Sequence, residues 1–147
     1  IGEELELLQK FLSIMELKYP GRFYYQIDVE EPLLAISTVK FWMQPLAENF
    51  FVHGFNPSSE FNLLVVNGWE EEGRFVLEFM DNGKSIPEAR LEEVRRCLDS
   101  REDAPVRSIG LRNVYTRLSF FYGDAFRMEI ENNEEAGVKI TVIISKG

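Results

Sequence analysis

The sequence predicts an α+β fold, a two-layer α/β sandwich with about five strands and four helices. Three observations predict it. Segments that alternate apolar and polar residues come in neighbouring pairs. Amphipathic stretches with apolar residues three and four apart lie between those pairs. The order is not the regular strand–helix alternation of a doubly wound parallel sheet, and sheet and helices therefore form separate layers. At 147 residues, with no internal repeat or low-complexity tract, the chain reads as one domain spanning residues 1–147.

Taken in order, Glu3 to about Lys18 is helical, because Leu5, Leu8, Leu12 and Met15 share a stripe and Pro20-Gly21 stops it. That stripe either docks on its own domain or ends a longer helix from upstream. Phe23, Tyr25, Ile27 and Val29 alternate as a strand, and an acidic turn with Pro32 follows. From about Thr38 to His53 the pattern is helical and apolar on most sides, as in a buried helix. Pro45 either kinks it or marks its start. Gly54 is placed to end it in a left-handed conformation. Phe61 to Val66 is a buried strand, Gly68 and the acidic run to Gly73 make a turn, and Phe75, Leu77 and Phe79 alternate in the next strand, so the two form a hairpin. Pro87 suits the first turn of a helix from about Glu88 to Leu98. Asp99 to Ser108 is polar and reads as a loop. Gly110 opens a helix with Leu111, Val114, Leu118 and Phe121 on one face, and Gly123 ends it. Phe126, Met128 and Ile130, then Val138, Ile140, Val142 and Ile144, make the last two strands.

Composition excludes some functions. A net charge of −9 argues against a nucleic-acid footprint or adhesion to anionic lipid, though not against a polyanion in a local site. The lone Cys97 excludes an intrachain disulfide and a thiolate metal cluster, and fits a reduced, cytoplasmic setting. No apolar run approaches a membrane span in length. Because the chain begins with Ile1 rather than Met, we expect a piece of a longer protein.

Three stretches carry chemistry. Within Met43 to Phe55, Asn49 and His53 are four apart and share a helix face, with Glu48 about a hundred degrees round. The Asn49 carboxamide either satisfies a neighbouring loop or holds a hard cation shared with substrate phosphates, as magnesium commonly is. Asp81-Asn82-Gly83 ends an apolar strand. It is either a plain turn or a carboxylate projecting into a pocket, where it accepts from an exocyclic amine such as that of adenine while Gly83 allows close backbone approach. Ser108-Ile109-Gly110-Leu111-Arg112-Asn113 runs a small-residue loop into a helix start, whose free N–H groups favour an anion. Arg107 and Arg112 stand beside it; the plainer reading is a helix end with solvated arginines.

In order and spacing these stretches resemble the ATP-binding domain of sensor histidine kinases, in the GHKL superfamily, and most closely the LytS/YesM-type bacterial branch. Gln44-Pro45-Leu46-Ala47-Glu48-Asn49 with His53-Gly54 is similar to that branch's N box, Asp81-Asn82-Gly83 to its G1 box, and Ile109 to Leu118 with Tyr122-Gly123 to its G2 box and following helix. Gly137 matches the family's last glycine, and Glu3-Glu4-Leu5, Tyr19 and Arg22-Phe23 its first helix and strand. The resemblance covers nearly the whole chain. It implies a Bergerat-type (HATPase) fold, with a mixed sheet and helices on one face. It implies that Asn49 holds Mg²⁺ on ATP phosphates and that Asp81 reads the adenine amino group. His53, Gly83, Ser85, Ile86, Arg107, Ile109, Gly110, Leu111 and Asn113 would complete the nucleotide site, and residues 84–108 would form a lid. Glu48, beside Asn49, is a candidate catalytic residue.

The implied reaction is transfer of the ATP γ-phosphoryl to a histidine upstream of Ile1, in the same or a partner kinase chain. The full protein would be a membrane-anchored homodimer, with this domain on the cytoplasmic side, signalling to a response regulator. His53 is the only histidine and matches the N box, so this chain is not expected to phosphorylate itself. Some positions depart from the family. Val52 stands where a base is frequent, Ser85 and Ser108 where glycine is, and Val138 where threonine is. Pro45 occupies the place of the catalytic carboxylate in hydrolytic relatives, which favours a kinase over an ATPase. The departures support an alternative, a degenerate ATPase-like fold acting as a regulatory or protein-interaction module.

Overall fold

Residues 1–99 and 109–146 are described by a computed structural model of the chain. The elements are α1 (Gly2–Lys18), β1 (Phe23–Val29), a short α2 (Glu31–Leu34), α3 (Met43–His53), β2 (Asn62–Glu71), β3 (Arg74–Asp81), α4 (Glu88–Asp99), α5 (Ile109–Tyr122), a 3-10 turn (Gly123–Ala125), β4 (Phe126–Asn132) and β5 (Val138–Ser145). The five strands form one sheet in the order β1-β2-β3-β5-β4. β1 and β2 are parallel and the other pairs antiparallel, so the sheet is mixed.

Side chains alternate across a strand, and register sorts them into two faces. Ile27, Val66, Phe79, Ile140 and Ile130 form one row across all five strands. That face packs against Leu5, Leu8 and Leu12 of α1, Met43, Leu46 and Phe50 of α3, Leu91 and Val94 of α4, and Leu111, Val114 and Leu118 of α5. The other face carries Gln26, Asp28, Glu78, Lys139, Glu129 and Glu131, interleaved with half-buried Leu63, Val65, Met80 and Ile143. The architecture is the predicted two-layer sandwich. The α1 stripe docks on its own domain.

The abundant phenylalanines have a structural use. Phe23 of β1 meets Phe51 of α3 edge-on at 4.8 Å, Phe51 lies 5.3 Å from Phe55, and Phe11 of α1 meets Phe51 at 5.8 Å. Edge-to-face pairs at such spacing add to the burial term. They seat the side of α3 that faces α1 and β1.

Several expected boundaries differ. β2 continues through Gly68 to Glu71, and the hairpin turn is Glu72-Gly73, both at positive φ (46° and 77°) as a tight two-residue turn requires. The acidic turn at Pro32 is a one-turn helix, α2. α3 begins at Met43 rather than Thr38, with Pro45 in its first turn, where a missing N–H costs nothing. Gly54 is not left-handed (φ −111°).

The start of α3 explains why the helix does not run back to Thr38. Phe41 adopts φ 61°, a strained conformation for a bulky side chain, and turns the chain sharply. α3 has no side-chain cap of its own. Glu4 of α1 supplies one. Its carboxylate is 5% exposed and accepts N–H bonds from Phe41 (3.0 Å), Trp42 (2.9 Å) and Met43 (3.4 Å). From the other side, Arg117 of α5 donates to the carbonyls of Phe41 (2.9 Å) and Lys40. A negative group at a helix N-terminus also meets the positive end of its dipole.

Glu4→Ala leaves these buried N–H groups without an acceptor and is expected to cost about 2–4 kcal/mol. Urea unfolding measures the loss, and hydrogen exchange should show faster exchange at residues 41–43 before any other part of α3.

Candidate functional site

A cleft opens between α3, the end of β3, α4 and α5. It encloses about 550 Å³, counting the part open to solvent. Asn49, His53 and Gly54 line it from α3 and its end, Asp81 from β3, Ile86, Arg90, Glu93 and Val94 from the α4 side, Leu111 from α5 and Val138 from β5. All three stretches singled out in the sequence thus reach one cleft, the third through Leu111.

Asp81 is two residues beyond Phe79, so the strand's alternation points it at the helices rather than at solvent. Its Oδ1 accepts N–H bonds from Gly83 (2.9 Å) and Val138 (3.3 Å). Among the described residues no donor reaches Oδ2. Burial pushes the carboxyl up to about 6 from an ordinary 3.8, against the two backbone N–H bonds, which pull it down. The neighbouring Asn82 is structural. It accepts from Leu63 N–H (2.8 Å) and donates to Phe61 carbonyl (3.0 Å), tying the loop to the start of β2.

Asn49 is half-buried on the cleft side of α3, and its carboxamide has no hydrogen-bond partner among the described residues. His53 stands one turn further on the same face. Glu48 is exposed, accepts from Gln44 Nε2 (2.9 Å) on the helix surface, and is not on the cleft wall, so the geometry gives it no catalytic contact.

Gly83 has a different use from the one expected. A Cβ there would lie 2.4 Å from the Gly54 carbonyl oxygen, so the space is filled by the end of α3, not left for a ligand. Gly137, at φ 96°, presses on the backbone of Asp81, where a Cβ would lie 1.9 Å from its carbonyl oxygen. The Ser85 hydroxyl accepts from Gly137 N–H (3.1 Å) and so fastens this loop. Ile86 is held at both backbone groups by Asn132, whose Oδ1 accepts its N–H (2.8 Å) and whose Nδ2 donates to its carbonyl (2.8 Å).

Gly110 and Asn113, expected near phosphates, line an adjoining shallow cleft with Phe41, Pro45, Thr116 and Arg117. Ile109 is the first residue of α5. Arg107 and Ser108, with residues 100–108 of the expected lid, lie outside the described residues; the described part, 84–99, is a fastened loop and α4, and it supplies one wall of the cleft. Sequence reasoning missed Phe50 and Val138 as wall residues, and reached Lys84, Arg90, Glu93 and Val94 only collectively, as part of the lid 84–108. A further signal was that Lys84 and Arg90 are bases following the Asp81 motif in an acidic chain.

No family model matches the chain. Sensor protein LytS of Bacillus anthracis is 28% identical over 146 residues, 99% of this chain. Sensor histidine kinase YesM of Bacillus subtilis is 24% identical over 144 residues, 98% of this chain. The chain is a relative of the LytS/YesM-type sensor kinases. It spans about a quarter of the length of these curated relatives (24% and 23%). Its fold is that of histidine kinase catalytic domains. The catalytic domain of histidine kinase ThkA superposes with a TM-score of 0.63 at 14% identity, over 97% of this chain and 93% of that one. The mycobacterial sensor histidine kinase MprB gives 0.53 at 15% identity, over 96% and 93%.

Two outcomes follow from the geometry. A folded-state carboxyl raised to about 6 holds its proton more tightly than in the unfolded chain. Its contribution to stability is therefore complete below about pH 4 and lost as the pH rises through about 6. Asp81→Asn keeps an oxygen for both N–H groups and carries no charge. It is expected to stabilise the ligand-free protein by on the order of 2 kcal/mol near pH 8 and to change little near pH 4, as read by urea unfolding at both. Gly83→Ala must separate the loop from the end of α3 and is expected to cost about 1–3 kcal/mol, read as a fall in Tm.

Proposed function

We propose that this chain is the Mg·ATP-binding catalytic domain of a sensor histidine kinase, which transfers the ATP γ-phosphoryl to a histidine outside it. The observation that carries the reading is the pairing of Asn49 and Asp81. They come from different elements, face one cleft, and keep a carboxamide and a carboxylate oxygen without protein donors or acceptors among the described residues.

In this reading Asp81 Oδ2 accepts from the adenine amino group. Ile86, Val94, Leu111 and Val138 give the base an apolar seat. Asn49 offers its carbonyl oxygen to Mg²⁺. No group of three acidic, cysteine or histidine side chains suited to a metal exists among the described residues. A single carboxamide fits an ion carried in by the nucleotide and otherwise coordinated by phosphate and water. Such an ion supplies charge neutralisation at the phosphates. What the protein adds is position, since phosphoryl transfer needs alignment and neutralised charge more than covalent help.

By its likeness to sensor proteins, the domain would belong to the cytoplasmic part of a membrane-anchored, dimeric kinase that passes its phosphoryl group to a response regulator. Among the described residues no helix is long and apolar enough to cross a membrane.

Calorimetric titration tests the reading. ATP with Mg²⁺ is expected to bind, and Mg²⁺ alone is not. Asn49→Ala should weaken Mg·ATP about tenfold or more while sparing adenosine, and Asp81→Ala should weaken both. Affinity should also fall as pH drops below about 6, where Asp81 gains its proton. Incubated with labelled ATP, the chain alone should stay unlabelled, because its one histidine lies in the cleft wall. Absence of binding up to millimolar ATP would sink the reading and favour an interaction module.

A further inference from the structure

A nucleoside triphosphate brings several negative charges, and this chain is already acidic at −9, so its polyphosphate needs cations in the cleft wall. The α3 side supplies little. Val52, on the turn after Asn49, is apolar and 74% exposed. Arg112 on α5 already engages another group of the protein. Among the described residues, the lysine and arginine that line the cleft are Lys84 and Arg90. Both are exposed, and neither has an ion-pair or hydrogen-bond partner among the described residues. Glu93 lines the same wall one turn from Arg90, yet the two form no ion pair.

The backbone that presents these cations is fastened. Asn132 holds both backbone groups of Ile86, and Ser85 is tied to Gly137. Further along α4, Arg95 Nε donates to the Ile130 carbonyl (2.9 Å) and docks the helix on β4. Lys84 precedes this clamp and Arg90 follows it by one turn. Both therefore face the cleft from a fixed base.

We infer that Lys84 and Arg90 bind the polyphosphate of the nucleotide, so that its direct cationic contacts come from the α4 side of the cleft, opposite the Mg²⁺ that Asn49 of α3 would hold. Arg90, with a planar fork suited to two phosphate oxygens, is the main contact, and Lys84 adds a point charge. The inference rests on the nucleotide reading above. It deepens that reading by assigning the phosphate contacts to residues outside the three motifs.

The test is calorimetric titration of the wild-type chain, Arg90→Ala, Lys84→Ala and the double variant with Mg·ATP, Mg·ADP and adenosine. Both side chains are exposed, so the variants should melt as the wild type does. We expect Arg90→Ala to weaken ATP about tenfold and Lys84→Ala about threefold, with adenosine changed less than twofold. Arg90→Lys keeps the charge and should lose less than Arg90→Ala. Unchanged ATP affinity in the double variant would overturn the inference, as would an equal loss for adenosine, or an equal loss in Arg90→Lys and Arg90→Ala. Those outcomes leave the nucleotide reading standing. If the wild type binds neither ATP nor adenosine, both fall together.

Discussion

Glu4 holds the domain to its working shape. Its carboxylate is buried, belongs to the first helix, and accepts N–H bonds from the chain that starts the third. A buried charge is tolerable only with partners of this quality. Without it the strained turn at Phe41 has nothing to hold it from the α1 side, and Arg117 alone grips the carbonyls from α5. The direction in which α3 sets out depends on that turn, and Asn49 and His53 ride on α3. Position in the cleft is thus settled by a contact at the opposite end of the helix. The aromatic cluster of Phe11, Phe23, Phe51 and Phe55 supports the same helix along its flank, so α3 is fixed at its start and along its length.

The far wall is fixed by a different means. Asp81, Gly83, Ser85 and Ile86 form a short irregular stretch with little regular pairing of its own. Its hydrogen bonds go to the β4–β5 region instead: Asp81 to Val138, Ser85 to Gly137, Ile86 to Asn132. Buried polar groups are satisfied this way without closing the cleft, since Asp81 spends one oxygen on the protein and keeps the other. The cost shows in the upward displacement of its proton affinity, which burial causes and a ligand's donor would relieve.

Most of the fold was legible because it rests on periodicity. Four of the five strands alternate over five or more residues, β2 reads as a continuous apolar run, and the row of Ile27, Val66, Phe79, Ile140 and Ile130 faces the helices. Asp81 and Asn49 were legible because a polar residue in an apolar run asks for a partner. What failed had tertiary causes. The stretch Thr38 to Trp42 looks helical, but Glu4 and Arg117 impose a left-handed turn at Phe41 that local propensity opposes. Gly54 does end α3, but not in the left-handed conformation expected of it; its backbone packs against Gly83 instead. Glu4 on a helix surface and Asn132 in a turn-like Asn-Asn pair each look solvated in one dimension. Their roles depend on residues 37 to 46 positions away, as with Glu4 and Phe41 or Asn132 and Ile86.

The bond from Val138 to Asp81 spans 57 positions, and the glycine before it presses on the same residue. During synthesis the chain is threaded out from its amino end, at about 5–20 residues per second. α1, α3 and the β2–β3 hairpin leave the ribosome well before β5 does. Until β4 emerges the loop to α4 has no Asn132 to hold it, and until β5 emerges the carboxylate of Asp81 lacks one of its two donors and the central strand β3 has an open edge. The cleft is therefore among the last features of the nascent chain to form, and a stalled or truncated product lacks it. Emergence of β4 and β5 acts as a checkpoint on the site.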